Sequence, residues 1–75
     1  MNRYGITYSR HGKEHAVIRR GETAMEAADR LCDAYGWSWR YGMVDADTRG
    51  REWAELPCRT EAYDTAEITL HIERL

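Results

Sequence analysis

Tyr4, Ile6 and Tyr8 alternate with small or polar residues at the start of the chain, the period of a half-buried strand. His11-Gly12-Lys13 reads as a turn, and His15 to Arg20 as the strand returning from it. A register with Arg10 opposite Glu14 sets Tyr8 against Ala16 and Ile6 against Ile18, gathering the apolar residues on one face. From Gly21 to Gly36 the period changes to that of a helix. Thr23 followed by Glu26 is a capping box that marks its start, and Gly36 is its left-handed stop. Ala24, Ala28, Leu31, Cys32 and Tyr35 form its apolar stripe.

Past Gly36 the period returns to two. Trp37, Trp39, Tyr41 and Met43 point one way, and Ser38, Arg40, Gly42 and Val44 the other, so one continuous strand is expected. Asp45 to Gly50 reads as a polar turn and Arg51 to Leu56 as the next strand, which Pro57 ends because it has no ladder donor. Cys58 to Asp64 is a loop. The final strand, Ala66 to Leu75, turns Ala66, Ile68, Leu70 and Ile72 inward. The order ββαβββ predicts a two-layer α+β domain, with one helix on a four- or five-stranded, mainly antiparallel sheet. Its other face is expected to carry Thr7, Val17, Arg19, Thr69 and His71 and to be largely wet.

Composition narrows this little. The chain of 75 residues, 43% hydrophobic and 32% charged, suits a single soluble domain over residues 1–75 with a modest core. It has neither a run long enough to cross a membrane nor a signal-like apolar segment, so the cytoplasm is the expected compartment. Three Trp and five Tyr without any Phe suit half-buried positions, as core staples or as contacts at an interface.

Charge changes the picture more. The net charge of −2 hides a basic start, where Arg3, Arg10, Lys13, Arg19 and Arg20 face Glu14 alone. Along the helix, Glu22, Glu26, Asp29 and Asp33 fall within roughly 60° of one another at about 100° per residue. Arg30 is the single cation among residues 22–35. Successive members of this row lie one helical turn apart, roughly 5–6 Å, close to the spacing of phosphates along a DNA strand. Such a row can occupy a basic groove built for nucleic acid. The basic hairpin, with Tyr4 and Tyr8 interleaved, is the alternative surface and would track a phosphate backbone itself.

Catalytic and metal chemistry finds little footing. Asp45, Asp47 and Gly50 imitate the start of a calcium loop, but Arg49 and Leu56 stand where acidic ligands are required. His11 and His15 flank the first turn without a third ligand. Cys32 and Cys58 fit no metal or redox spacing and are expected to stay reduced. Phosphate-binding glycine loops, nucleophile elbows and dinucleotide fingerprints are absent. The expectation is therefore a non-enzyme with no cofactor and no metal.

In size, hairpin-helix-sheet order and its uncompensated Glu22, Glu26, Asp29 and Asp33 face, the whole chain resembles the small acidic anti-CRISPR proteins of phages, particularly those acting on type I systems. The resemblance implies a protein-binding inhibitor of a bacterial cytoplasm. Its partner would be a subunit of the CRISPR surveillance complex, whose nucleic-acid-binding surface the acidic helix would block. A monomer or weak dimer is expected. The alternative is a small nucleic-acid-binding accessory, regulator or antitoxin that uses the basic hairpin.

Overall fold

The computed structural model describes residues 1–60 and 67–75. Strands β1 (Asn2–Arg10) and β2 (Lys13–Gly21) form an antiparallel hairpin whose loop is His11 and Gly12 alone. Both loop residues have positive φ, 54° and 75°, as a type I′ turn demands. A two-residue loop sets Arg10 opposite Lys13, Tyr8 opposite His15, Ile6 opposite Val17 and Tyr4 opposite Arg19. The expected register, with Arg10 opposite Glu14, is therefore corrected by one residue. Turn geometry outweighs the apolar pairing, and the slip sends Ala16 and Ile18 to the open face, where Ile18 is 49% exposed. Val17 and Arg19, expected on the open face, lie on the helix side, and Val17 packs on the core.

Helix α1 spans Ala24–Tyr35. The Thr23 hydroxyl accepts from the Glu26 N–H at 3.1 Å, while the Glu26 carboxylate turns to Arg30 at 3.5 Å. Gly36 closes the helix at φ 71°, its N–H donating to the Cys32 carbonyl. Glu52, on β5 (Glu52–Arg59), adds a cap from across the sheet by accepting from the Ala24 N–H. Strand and helix meet at Gly21, where a Cβ would lie 2.9 Å from the Ala27 nitrogen. Ala24, Ala27, Ala28, Leu31 and Cys32 face the sheet. Tyr35, expected in this stripe, is 51% exposed. Trp37 lies just past the Gly36 cap, stacks on Tyr35 at 4.7 Å and supplies apolar surface to the core in its place.

The sheet runs β2-β1-β6-β5-β3, with β4 also on β5, and every pairing is antiparallel. β6 (Glu67–Arg74) lies between β1 and β5, with Ile72 between Ile6 and Ala54 and Leu70 beside Leu56. These side chains and the helix face make the core, together with Tyr4, Tyr8 and Cys58. One helix on an antiparallel sheet is the expected α+β class. The strand count is six because the expected strand over 37–44 is two: β3 (Ser38–Trp39) and β4 (Met43–Ala46).

Pro57 explains the break. It does not end β5, as expected, but sits inside it opposite Thr69. Its carbonyl accepts from the Arg40 N–H at 2.8 Å, so its missing donor falls on the same side, in the gap between β3 and β4. Gly42 fills that gap: a Cβ there would stand 2.1 Å from the Glu55 carbonyl oxygen and 2.9 Å from the Pro57 ring. The interruption shifts the phase of the strand. Trp39 and Val44 both pack on the core, while Tyr41 and Met43 are exposed. The following turn is narrower than expected, since Asp45 and Ala46 belong to β4. The Asp47 carboxylate accepts from the Arg49 and Arg51 N–H groups at 2.8 and 2.9 Å. Cys58 and Arg59, expected in a loop, extend β5; residues 61–64 of that loop, and Ala66 of the last strand, lie outside the described residues.

Candidate functional site

The acidic row divides in two. Glu26, Asp29 and Asp33 stand on α1, whereas Glu22 precedes the Thr23 cap in the connection from β2. Backbone hydrogen bonding fixes that connection, because the Glu22 carbonyl accepts from Asn2 Nδ2 and the Tyr4 hydroxyl, each at 3.4 Å. The Glu22, Asp29 and Asp33 residues are exposed and Glu26 is half-buried. Three carboxylates have partners along the row: Glu22 lies 3.9 Å from the Met1 ammonium, Glu26 pairs with Arg30, and Asp29 accepts from Trp39 Nε1 at 2.6 Å. The indole therefore lies beside the row, tying the helix to β3. No spacing in the sequence announces this contact, which needs helix and sheet packed together.

The hairpin cations do not make one surface. In the observed register Arg3 and Arg20 are direct partners on the open face, while Arg10, Lys13 and Arg19 lie on the helix side. The Arg10 guanidinium sits 5.5 Å from the Trp37 ring centroid, and Arg19 Nη1 donates to the Ile18 carbonyl at 2.8 Å. Tyr4 and Tyr8, the aromatics interleaved with these cations, are 1% and 7% exposed. Their rings are core, not platforms for bases. Burial is the main cause that raises both phenols above the usual tyrosine range.

An aromatic cluster that sequence reasoning missed closes one end of the sheet. His15 stacks on Tyr8 at 5.0 Å, Tyr8 meets Trp37 edge-on at 5.4 Å, and Trp37 stacks on Tyr35. With Arg10 and Thr60 these side chains line a cleft of about 440 Å³.

Cys32 and Cys58, unrelated in spacing, are brought together by the packing of α1 on β5, with their buried sulfurs 3.8 Å apart. The hydrogen bond to Cys58, followed by burial, pushes the Cys32 thiol far above its ordinary range and keeps it protonated. On the open face, Arg40 forks onto Glu67 at 2.6 and 3.1 Å and holds that carboxyl below its usual range. His71 lies 3.6 Å from Glu55 on the same face. Among the described residues, no three His, Cys, Asp or Glu side chains are grouped to hold a metal, and no helix is long and apolar enough to cross a membrane. No family, curated protein or solved structure matches the chain.

Proposed function

We propose that this chain is a non-catalytic, protein-binding inhibitor that lays its acidic helix ridge into a basic, nucleic-acid-binding groove of a partner. The observation behind this reading is the ridge itself: Glu26, Asp29 and Asp33 on α1, with Glu22 just ahead of its cap and Arg30 as the cation among residues 22–35. Carboxylates about 5–6 Å apart imitate the charge repeat of a nucleic-acid strand and draw the ridge into a basic surface over long range. The half-buried Trp39, bonded to Asp29, adds an indole of the kind that anchors interface centres. The resemblance to type I-inhibiting anti-CRISPR proteins makes a CRISPR surveillance-complex subunit the partner to test first, and a bacterial cytoplasm the setting. The divided hairpin cations and the buried Tyr4 and Tyr8 favour this surface over direct binding of nucleic acid.

The test replaces Glu26, Asp29 and Asp33 together by Gln, Asn and Asn. Asn at 29 keeps a carbonyl oxygen for Trp39, and the core face of α1 is untouched. Binding to a purified surveillance complex should slow by about tenfold or more at low salt and lose its steep salt dependence. Neutralising Arg10 and Lys13 should change it much less. The reverse ranking would sink this reading and promote a nucleic-acid-binding accessory or antitoxin.

A further inference from the structure

The two edges of the sheet differ. One is made of the short β3 and β4, interrupted between Trp39 and Met43. The other is β2, nine residues without a proline or a break, and among the described residues no strand pairs with its outer side. Long unpaired edges are sites of pairing unless they are blunted.

The register of the hairpin says which groups β2 offers. A type I′ turn makes Arg10 and Lys13 a hydrogen-bonded pair, and such pairs alternate along an antiparallel ladder. The N–H and C=O groups of Glu14, Ala16, Ile18 and Arg20 therefore point away from β1, to the free edge. The Ile18 carbonyl bears this out, since it is available to accept from the Arg19 guanidinium at 2.8 Å. The side chains of the same four residues lie on the open face, opposite Ser9, Thr7, Gly5 and Arg3 of β1.

We propose that β2 is a self-association edge, on which a second copy of this chain pairs its own β2 antiparallel about a two-fold axis at Val17. In that register Glu14 faces the second copy's Arg20, Ala16 faces the second copy's Ile18, and the same contacts recur on the other side of the axis. Two small-large apolar pairs form the centre and two opposite-charge pairs flank it. Shifting by two residues in either direction sets Glu14 against Ile18 or Arg20 against Ala16, so charge complementarity selects one register. The apolar centre has support beside it. Gly5, Ala16, Ile18 and Leu75 border a shallow recess of about 460 Å³ on the open face. On pairing, the second copy's Ala16 N–H replaces the Arg19 guanidinium on the Ile18 carbonyl. Edge pairing alone buries less than a standard interface of about 1,600 Å², so the dimer is concentration-dependent.

Analytical ultracentrifugation of the full chain, at concentrations up to ~1 mM, tests this. The parent should move from monomer to dimer as concentration rises. Glu14→Arg alone and Arg20→Glu alone each create like-charge contacts and should weaken the dimer tenfold or more, with circular dichroism unchanged. Mixed in equal amounts, these two variants should form a heterodimer, because every position 14 then faces an opposite charge at position 20. Ala16→Pro, which removes an outward donor without touching the β1 pairing, should abolish dimers. A parent that stays monomeric throughout overturns the proposal. So does a dimer indifferent to both charge reversals, or a pair of variants that do not rescue each other. Glu26, Asp29 and Asp33, the acids replaced in the test of the ridge, stand on α1 and not on this edge, and Asp29 reaches Trp39 on the far side of the sheet; Glu22, which follows β2, is unchanged in both tests. Loss of dimerisation and loss of partner binding are therefore separable.

Discussion

Leu31→Ala is the sharpest test of how the helix is held. Leu31 is 0% exposed, and its neighbours on the buried face of α1 are Ala24, Ala27, Ala28 and Cys32. It is the large side chain of that face, so no flanking helix residue can swing in to fill the space it leaves. Burying a leucine and then emptying its site costs about 2–5 kcal/mol, and small neighbours place this one in the upper half of that range. Alanine favours the helix slightly more than leucine, which returns only a few tenths. A chain of 75 residues has roughly 4–11 kcal/mol of stability in total. With a urea slope of about 1 kcal/mol/M for so small a domain, the midpoint should fall by ~3 M or more. Trp37 and Trp39 pack against the core beside α1 and report the transition by fluorescence. Ile18→Ala, on the open face, should shift it by no more than ~1 M. A Leu31→Ala midpoint within ~0.5 M of the parent, or a larger loss at Ile18 in dilute monomer, would refute the assigned faces.

Gly42→Ala drives a methyl group into the Glu55 carbonyl and should cost about 1–3 kcal/mol, read as a fall of several degrees in Tm. Replacing Cys32 and Cys58 together by Ser should lower stability modestly, since two buried hydroxyls can still bond each other, and should leave partner binding intact; lost binding in a folded variant would expose a thiol-dependent role. Tyr4 and Tyr8 have phenols raised by burial. Their contribution to stability is complete below the unfolded tyrosine value of about 10 and is lost as pH rises through the folded values. Phenolate absorbance should therefore show two tyrosines titrating late, together with loss of structure.

Features set by neighbours in sequence were legible before the structure. Thr23 and Gly36 bound the helix because capping is decided within one turn, and β6 alternates because one of its faces is buried. The hairpin register was misread where two local signals conflict. Apolar pairing favours a three-residue loop, but His11-Gly12 adopts the left-handed pair that closes a two-residue one. Other misses depend on contacts across the fold. Within residues 37–44 only Gly42 hints at where the strand breaks, and the partner that requires it, Pro57, lies on the strand opposite. The Cys32–Cys58 and Asp29–Trp39 contacts likewise appear only once helix and sheet are assembled. Of the acidic row, the sequence reveals the charge but not the indole beside it.

The place of β6 carries a consequence for how the chain acquires its shape. β6 follows every other strand in sequence, yet it sits in the middle of the sheet, joining β1 on one side to β5 on the other. A chain that has emerged only as far as Arg59 has the residues of the β1-β2 hairpin, of the helix, and of β5 with β3 and β4 on its one side, but not the β6 that joins β1 to β5. Ile6 and Leu56 then wait uncovered for Ile72 and Leu70. Joining the halves closes a loop nearly as long as the chain, which adds little to the equilibrium cost but slows the search. The core therefore cannot close before β6 is in place, and until then the apolar faces that β6 covers are open to other chains and to chaperones.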